Sequence, residues 1–268
     1  MIETIRSGVC ASRARVALFD FDGTLSTIRS GWVDVMVPMM VEVLLELKTG
    51  ESEAELTGIV REFVARLTGK DTIYQMIELA DQVNNRGGAP LDPLVYKRRY
   101  LDMLWKLIRH RVEALGNGDA SPEKYLVPGA RALLESLKQR GLKMYLASGT
   151  DDAAMKEEAR LLDVERYFDG GCYGALEDYK SFSKAILIRR VIDAAEASGD
   201  EFLGFGDGFV EIANVKQVGG VAVGVAGAEP ECIEIDDWKR SRLVKVGADY
   251  IIPNYLSLAE LNAALFPN

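Results

Sequence analysis

The chain of 268 residues is 48% hydrophobic and 27% charged, which is ordinary for a globular protein with a sizeable core. Its formal net charge of -9 argues against nonspecific binding to nucleic acid or to an anionic membrane. The sequence has a single histidine, His110, in the basic stretch W-K-L-I-R-H-R. This argues against Ser-His-Asp, Cys-His and histidine-zinc chemistry. Any catalysis is therefore expected to use carboxylates, hydroxyls and lysines.

The cysteines and the apolar stretches indicate the cellular compartment in which the protein is expected. Cys10, Cys172 and Cys232 lie far apart without a C-x-x-C pair, so neither a zinc site nor a disulfide framework is expected. Met1–Cys10 has no apolar signal region, and the most apolar stretch, Trp32–Leu47, is too short and too charged to span a bilayer. We expect a reduced, cytoplasmic protein with no membrane partner.

The first predicted strand, Val16–Phe19, runs directly into the motif D-F-D-G-T. This places Asp20 at the carboxyl end of the strand and Asp22 two residues later, followed by Gly23 for a tight turn and Thr24 as a hydroxyl. A D-G pair also suits a plain hairpin turn. The preceding run looks buried on both faces and a helical segment follows, which favours a site over a hairpin.

The interval 28–121 contains helical patterns and no convincing strand. Its apolar residues recur at helical spacing over Glu53–Leu67, Thr72–Val83 and Val95–Leu115, and the apolar stretch Trp32–Leu47 is expected to pack within it. Glycine-rich and proline-containing turns separate the later patterns. We interpret this interval as a helical module inserted after the first strand.

The remainder of the chain alternates short apolar runs with helical patterns. Strands are predicted over Leu142–Ala147, Phe202–Phe205, Val221–Val225 and Tyr250–Ile252. Helices are predicted over Ala130–Arg140, Ala153–Leu162, Lys184–Ala197 and Val210–Val218. This alternation is typical of an α/β fold with a parallel sheet flanked by helices, in which ligands bind at the carboxyl ends of the strands.

Two of the later strands also end in polar residues. Ser148 and Gly149 follow the second core strand, where a hydroxyl and a backbone N–H could bind an oxyanion. Asp207, in F-G-D-G, follows the third, with Glu211 four residues later. Each motif alone is more often a turn than a site.

A parallel sheet would bring Asp20, Asp22, Ser148 and Asp207 to one edge. Two unit negative charges about 4 Å apart repel by roughly 4 kcal/mol at an effective dielectric near 20. Several carboxylates beside a phosphate would therefore need a cation, and all-oxygen ligands select a hard ion such as Mg²⁺.

These motifs, taken in order with a downstream lysine, resemble the four motifs of the haloacid dehalogenase superfamily. The resemblance covers the whole α/β core and implies a Rossmann-like core domain over residues 1–27 and 122–268. The helical interval 28–121 then corresponds to an inserted, all-helical C1-type cap domain. The aspartate at position 22 resembles the acidic residue that the phosphatase and phosphomutase branch has at this place in the motif.

The resemblance also implies roles. Asp20 would be the nucleophile that forms an aspartyl-phosphate, and Asp22 the general acid and then base. Ser148 and the Gly149 N–H would hold the phosphoryl oxygens, and Lys184 would neutralise their charge. Lys180 competes with Lys184 for this role.

Further residues complete the expected site. Mg²⁺ would be bound by Asp20, Asp207 and the backbone carbonyl of Asp22, with Glu211 reaching the ion, orienting the lysine, or simply beginning a helix. Gly23 and Thr24 are expected to line the substrate site. Lys70, with Thr68, lies in a glycine-bearing loop that in C1-capped relatives enters the active site, although a plain interhelical turn fits equally well.

We therefore expect a Mg²⁺-dependent phosphatase for a small phosphorylated metabolite, such as a sugar phosphate or a phosphoglycolate-like acid. The expected assembly is a monomer or a small homo-oligomer that does not bind nucleic acid. One alternative is a phosphomutase of the β-phosphoglucomutase type, which would hydrolyse slowly and depend on a bisphosphate. Another is a binding or regulatory module with an idle site, whose signature would be the loss of Asp20, Asp22 or Asp207.

Overall fold

The structure is a computed structural model of the chain. It describes residues 2–176, 184–194, 197 and 199–267, apart from the side chains of residues 184, 185, 187 and 194. No helix within these ranges is long and apolar enough to cross a membrane.

The chain folds into two compact units. One consists of Met1–Ser30 and Arg111–Asn268, and the other of Gly31–His110. The helical module predicted over 28–121 is wider at both ends than the second unit. Arg111 shows why the boundary lies further in, because its guanidinium donates hydrogen bonds of 2.8 Å to the carbonyls of Ile28 and Ser30, within the first unit.

Helices make up the second unit. They are α1 (Trp32–Leu45), α2 (Glu53–Leu67), α3 (Ile73–Asn85) and α4 (Pro93–Gly116), whose last turns belong to the first unit. A capping box begins α2, since the Ser52 side chain accepts from the Glu55 N–H and the Glu55 carboxylate accepts from the Ser52 N–H. The helical character predicted for this region is confirmed.

The first unit is an α/β layer structure around a seven-stranded sheet, counted over the described residues. In chain order the strands are β1 (Glu3–Thr4), β2 (Val16–Phe19), β3 (Lys143–Asp151), β4 (Gly171–Ala175), β5 (Phe202–Gly206), β6 (Val221–Val225) and β7 (Tyr250–Ile252). Their order in space is β1-β7-β6-β5-β2-β3-β4. The described pairings are parallel except that of β1 with β7, so the predicted fold class is confirmed.

Helices connect and flank these strands. They are α5 (Ala130–Gln139), α6 (Asp152–Leu161), α7 (Lys184–Ala194), α8 (Phe209–Gln217), α9 (Asp237–Lys245) and α10 (Leu258–Leu265). The strands β2, β5, β6 and β7 are buried along their whole lengths, because helices cover both faces of the sheet.

Aromatic packing holds the centre of the sheet next to the site. The Phe19 and Phe205 rings, on the neighbouring strands β2 and β5, stack with centroids 4.6 Å apart. Tyr255 packs edge-on against Phe205, and its hydroxyl donates a 3.0 Å hydrogen bond to the Thr24 carbonyl. The buried Tyr255 therefore ties the core to the turn that follows β2.

Candidate active site

Strand order and register bring three polar segments to one edge of the sheet. Phe19, the last residue of β2, pairs with Leu146 of β3 on one side and with Phe205 of β5 on the other. The Asp20 N–H then donates a 3.0 Å hydrogen bond to the Phe205 carbonyl. Asp20 and Asp207 consequently follow their strands at nearly the same level, and Ser148 lies two residues beyond Leu146 in β3. β2 lies where the strand order reverses.

The turn after β2 is compact and places the backbone of the D-F-D-G-T motif against Asp207. The Phe21 carbonyl accepts hydrogen bonds from the N–H groups of residues 24, 25 and 26, and the Phe21 N–H donates to Asp20 Oδ1 at 2.7 Å. Gly23 has a φ of +71°, and a Cβ added to it would lie 2.3 Å from Asp207 Oδ2. Glycine is required here both by conformation and by space.

Thr24 connects two of the segments. Its side chain is fully buried, and its hydroxyl accepts a 2.9 Å hydrogen bond from the Asp207 N–H. The turn after β2 therefore fixes the backbone at the start of the Asp207 segment. The expected contact of Thr24 with substrate stays a prediction.

Hydroxyl groups hold the Asp22 carboxylate in place. Thr150 Oγ1 donates to Asp22 Oδ2 at 2.8 Å, and Ser148 Oγ lies 3.3 Å from the same oxygen. The Thr150 N–H in turn donates to Ser148 Oγ at 3.0 Å, which fixes the serine. The sequence prediction assigned no role to Thr150, although this residue directly follows Ser148 and Gly149.

Replacing Thr150 by valine should lower kcat by about tenfold, since one hydrogen bond to a charged group contributes about 1.5 kcal/mol. Steady-state kinetics with the best substrate measure this. Thr150→Ser keeps the hydroxyl and is the matched control, expected to stay within about twofold of the parent. Equal rates for valine and parent would contradict a role of Thr150 in orienting Asp22.

β3 extends further than predicted. The prediction ended this strand at Ala147, whereas β3 runs to Asp151. Regular pairing with β4 does end at Ala147, and the register shifts before Asp151 pairs with Ala175. Ser148 and Gly149 therefore lie in an irregular stretch inside the strand, and the predicted oxyanion contacts of both remain predictions.

A buried ion pair lies behind Asp22. The Arg29 guanidinium binds both oxygens of Glu158, on α6, at 2.7 and 3.2 Å, and its Nε lies 3.8 Å from Asp22 Oδ1. Side-chain exposures of 11% for Arg29 and 5% for Glu158 place the pair out of solvent. Burial raises the pKa of Glu158, and the charge of Arg29 opposes that rise. No motif in the sequence indicated either residue.

Breaking this pair should cost stability. Glu158→Gln is expected to lower the free energy of unfolding by about 3 kcal/mol, because it leaves the buried Arg29 charge without its full counter-charge. Denaturant titration measures the change. The exposed pair of Arg99 and Glu42, also 2.7 Å apart, supplies the control, and Glu42→Gln should cost less than about 0.5 kcal/mol. Equal losses in the two variants would contradict the structural role of the Arg29–Glu158 pair.

Asp207 has a cationic partner that the sequence did not reveal. Lys239 Nζ lies 3.0 Å from Asp207 Oδ2 and 2.7 Å from Glu229 Oε1, and the Ser30 hydroxyl donates to Glu229 Oε2 at 2.7 Å. Burial alone would lower the pKa of Lys239, but the charges of Asp207 and Glu229 raise it well above its usual range. The ammonium is therefore fully charged at neutral pH.

Glu211 lies behind the end of β5. It stands in the first turn of α8 and is fully buried, and a Cβ added to Gly206 would lie 3.2 Å from its Oε2. Its carboxylate thus packs close to the backbone that leads into Asp207. Contact of Glu211 with a metal ion stays a prediction.

The donors at this edge fit a hard cation. Asp20 and Asp207 carry carboxylate oxygens, and the backbone of Gly23, the residue after Asp22, lies against the Asp207 carboxylate. Within the described ranges, no three His, Cys, Asp or Glu side chains form a cluster that could hold a metal ion by themselves. A divalent ion here would thus depend on two carboxylates and a backbone oxygen.

The structure does not test the roles predicted for the lysines. Lys184 begins α7, but its side chain, like all of Lys180, lies outside the described residues. Lys70 belongs to the helical unit, where its Nζ lies 5.5 Å from the centroid of the Tyr74 ring. The choice between Lys180 and Lys184, and the substrate contact of Lys70, remain predictions.

Comparisons with known proteins identify a hydrolase family and solved structures with the same fold. A family model described as haloacid dehalogenase-like hydrolase matches residues 14–219. No curated protein matches the sequence.

Solved structures share the fold at low sequence identity. A predicted phosphatase from Clostridium acetobutylicum is 18% identical, with a TM-score of 0.60 over 95% of this chain and 100% of that one. A predicted phosphoglycolate phosphatase from Haemophilus somnus is 15% identical, with a TM-score of 0.59 over 93% and 98%. A hydrolase of this family from Deinococcus radiodurans, solved with bound phosphate and sodium, is 15% identical, with a TM-score of 0.53 over 96% and 100%.

Proposed function

The chain belongs to the haloacid dehalogenase-like hydrolases, and we propose that within this family it is a Mg²⁺-dependent phosphatase for a small phosphorylated metabolite. The observation that supports this most is the arrangement around Asp20 and Asp22. Asp20 follows the central strand, Asp22 is held by two hydroxyls, and Asp207 packs against the turn that follows Asp22.

The proposed reaction has two steps that share these residues. An Asp20 oxygen attacks phosphorus, the bond from phosphorus to the substrate oxygen breaks, and Asp22 donates a proton to the departing alcohol. Asp22 then takes a proton from water, whose oxygen attacks the phosphorus and displaces the Asp20 carboxylate. Inorganic phosphate leaves, and both aspartates return to their starting states.

The remaining residues in this proposal would bind the metal ion, the phosphoryl oxygens and the substrate. Asp20, Asp207 and the backbone carbonyl of Asp22 would hold Mg²⁺, which supplies positive charge against the phosphoryl oxygens. Ser148 and the Gly149 N–H would bind those oxygens, and Lys184 would add a further cation. The helical unit 31–110 would serve as the cap that selects the substrate and excludes water.

Phosphate release from a panel of sugar phosphates, short phosphorylated acids and nucleotides, with Mg²⁺ and with a chelator, tests this proposal. We expect Mg²⁺-dependent release with a preference for small substrates. No release from any compound by folded protein with Mg²⁺ would contradict a general phosphatase. Slow release with turnover dependent on a bisphosphate would instead indicate a phosphomutase.

A further inference from the structure

An ammonium group lies between two carboxylates at the proposed metal end of the site. Lys239 contacts Asp207 at 3.0 Å and Glu229 at 2.7 Å, and the side chains of the two carboxylates are 12% and 16% exposed. The Lys239 side chain itself is 13% exposed. The charges therefore interact with little screening by solvent.

The fold presents Glu229 from an ordered loop and Lys239 from the first turn of α9. Glu229 lies between β6 and α9, where a bridge pairs Gly227 with Ile235 and the Ala228 N–H donates to the Glu234 carbonyl at 2.9 Å. Asp236 caps α9 by accepting from the N–H groups of Trp238 and Lys239 at 2.9 Å, which fixes Lys239 in the first turn. The position of the ammonium thus follows from two ordered elements.

Such a fixed charge acts on any cation that binds beside it. Without a divalent ion, Lys239 offsets the repulsion between Asp207 and Glu229. With the ion bound, the ammonium repels it through Asp207, the residue that both share. We propose that Lys239 is a built-in counter-cation of the metal site, which stabilises the ion-free protein and weakens the binding of Mg²⁺. This inference rests on the proposed metal dependence and concerns how tightly this chain holds the ion.

Calorimetric titration of the full-length protein with MgCl₂, without substrate, tests the inference independently of catalysis. Lys239→Met should tighten Mg²⁺ binding by about tenfold or more, because it removes a positive charge that lies 3.0 Å from Asp207, an expected ligand of the ion. The same variant should melt at a lower temperature without Mg²⁺ and gain more from added Mg²⁺ than the parent does. Lys239→Arg, which keeps the charge, should bind Mg²⁺ within about threefold of the parent.

Glu229→Gln gives a test of opposite sign that does not depend on the methionine variant folding. The substitution removes the negative charge of Glu229, so Asp207 becomes the one remaining carboxylate among the described residues that pairs with Lys239. Mg²⁺ binding should therefore weaken by about tenfold. Lys216→Met serves as the control for lost stability, because Lys216 forms a comparable 2.7 Å pair with the buried Asp249, away from the site. It should melt earlier with unchanged Mg²⁺ affinity.

The outcomes separate this inference from the proposed function. Opposite shifts in affinity for Lys239→Met and Glu229→Gln support the inference. Unchanged affinity in both, with Mg²⁺ binding intact in the parent, overturns it and leaves the proposed phosphatase standing. If neither the parent nor Lys239→Met binds Mg²⁺ while phosphate is still released with a chelator present, both the inference and the metal dependence fail.

Discussion

Asp20→Asn is expected to lower phosphate release by at least about 10³-fold, since it removes the proposed nucleophile. The fold should survive the change. Asparagine keeps an oxygen at the position where Asp20 Oδ1 accepts the Phe21 N–H at 2.7 Å, and the two side chains have nearly the same shape. Initial rates of phosphate release under saturating Mg²⁺, together with the midpoint of thermal unfolding, separate a catalytic loss from a structural one.

Asp169→Asn supplies the matched control. Asp169 Oδ1 also accepts a backbone N–H, that of Met144 at 3.0 Å, but Asp169 lies outside the site and is exposed. This variant should keep the activity of the parent. An Asp20→Asn variant that kept more than about a tenth of the parent activity would contradict the role assigned to Asp20.

Gly23→Ala should damage both stability and activity. Alanine at a φ of +71° costs about 1 kcal/mol, and its Cβ would lie 2.3 Å from Asp207 Oδ2. That oxygen cannot withdraw easily, because Lys239 holds it at 3.0 Å. We expect a loss of about 3 kcal/mol in the free energy of unfolding and a fall in kcat of at least about a hundredfold. Denaturant titration and steady-state kinetics measure the two effects.

The chain offers a control that separates backbone strain from the clash. Gly141 has a φ of +77°, and a Cβ added to it would meet no atom within 4 Å. Gly141→Ala should therefore cost about 1 kcal/mol and leave kcat unchanged. If the two alanine variants lost the same stability and kept the same activity, the close packing of Asp207 against the turn would be contradicted.

The regular α/β part of the fold could be predicted because its strands are short, apolar and buried on both faces. The predicted bounds of β2, β6 and β7 agree with the structure. β4 was missed because its sequence, G-C-Y-G-A, has two glycines and no apolar run. α9 was missed because Leu243 is its sole buried residue, so no apolar stripe marks it.

The same contrast holds for the candidate site. The sequence could indicate that four polar residues share one edge of the sheet, because each comes after an apolar run that is recognisable as a strand. They are Asp20, Asp22, Ser148 and Asp207. Contacts between distant segments leave no such pattern. Arg29 and Glu158 are 129 positions apart, and Lys239 reaches Asp207 from the helix that the sequence did not reveal. Charged residues of this kind resemble solvated side chains until the fold places them against a partner.

Locating the phosphoryl group on the protein during turnover tests the central claim most directly. A reaction with phosphate-labelled substrate, quenched in acid within the first turnover and followed by peptide mass spectrometry, should place the label on Asp20. The label should be labile to alkali, as an acyl phosphate is, and absent from Asp20→Asn. Phosphate release at full rate with no label on Asp20, or with a label on another residue, would contradict the account.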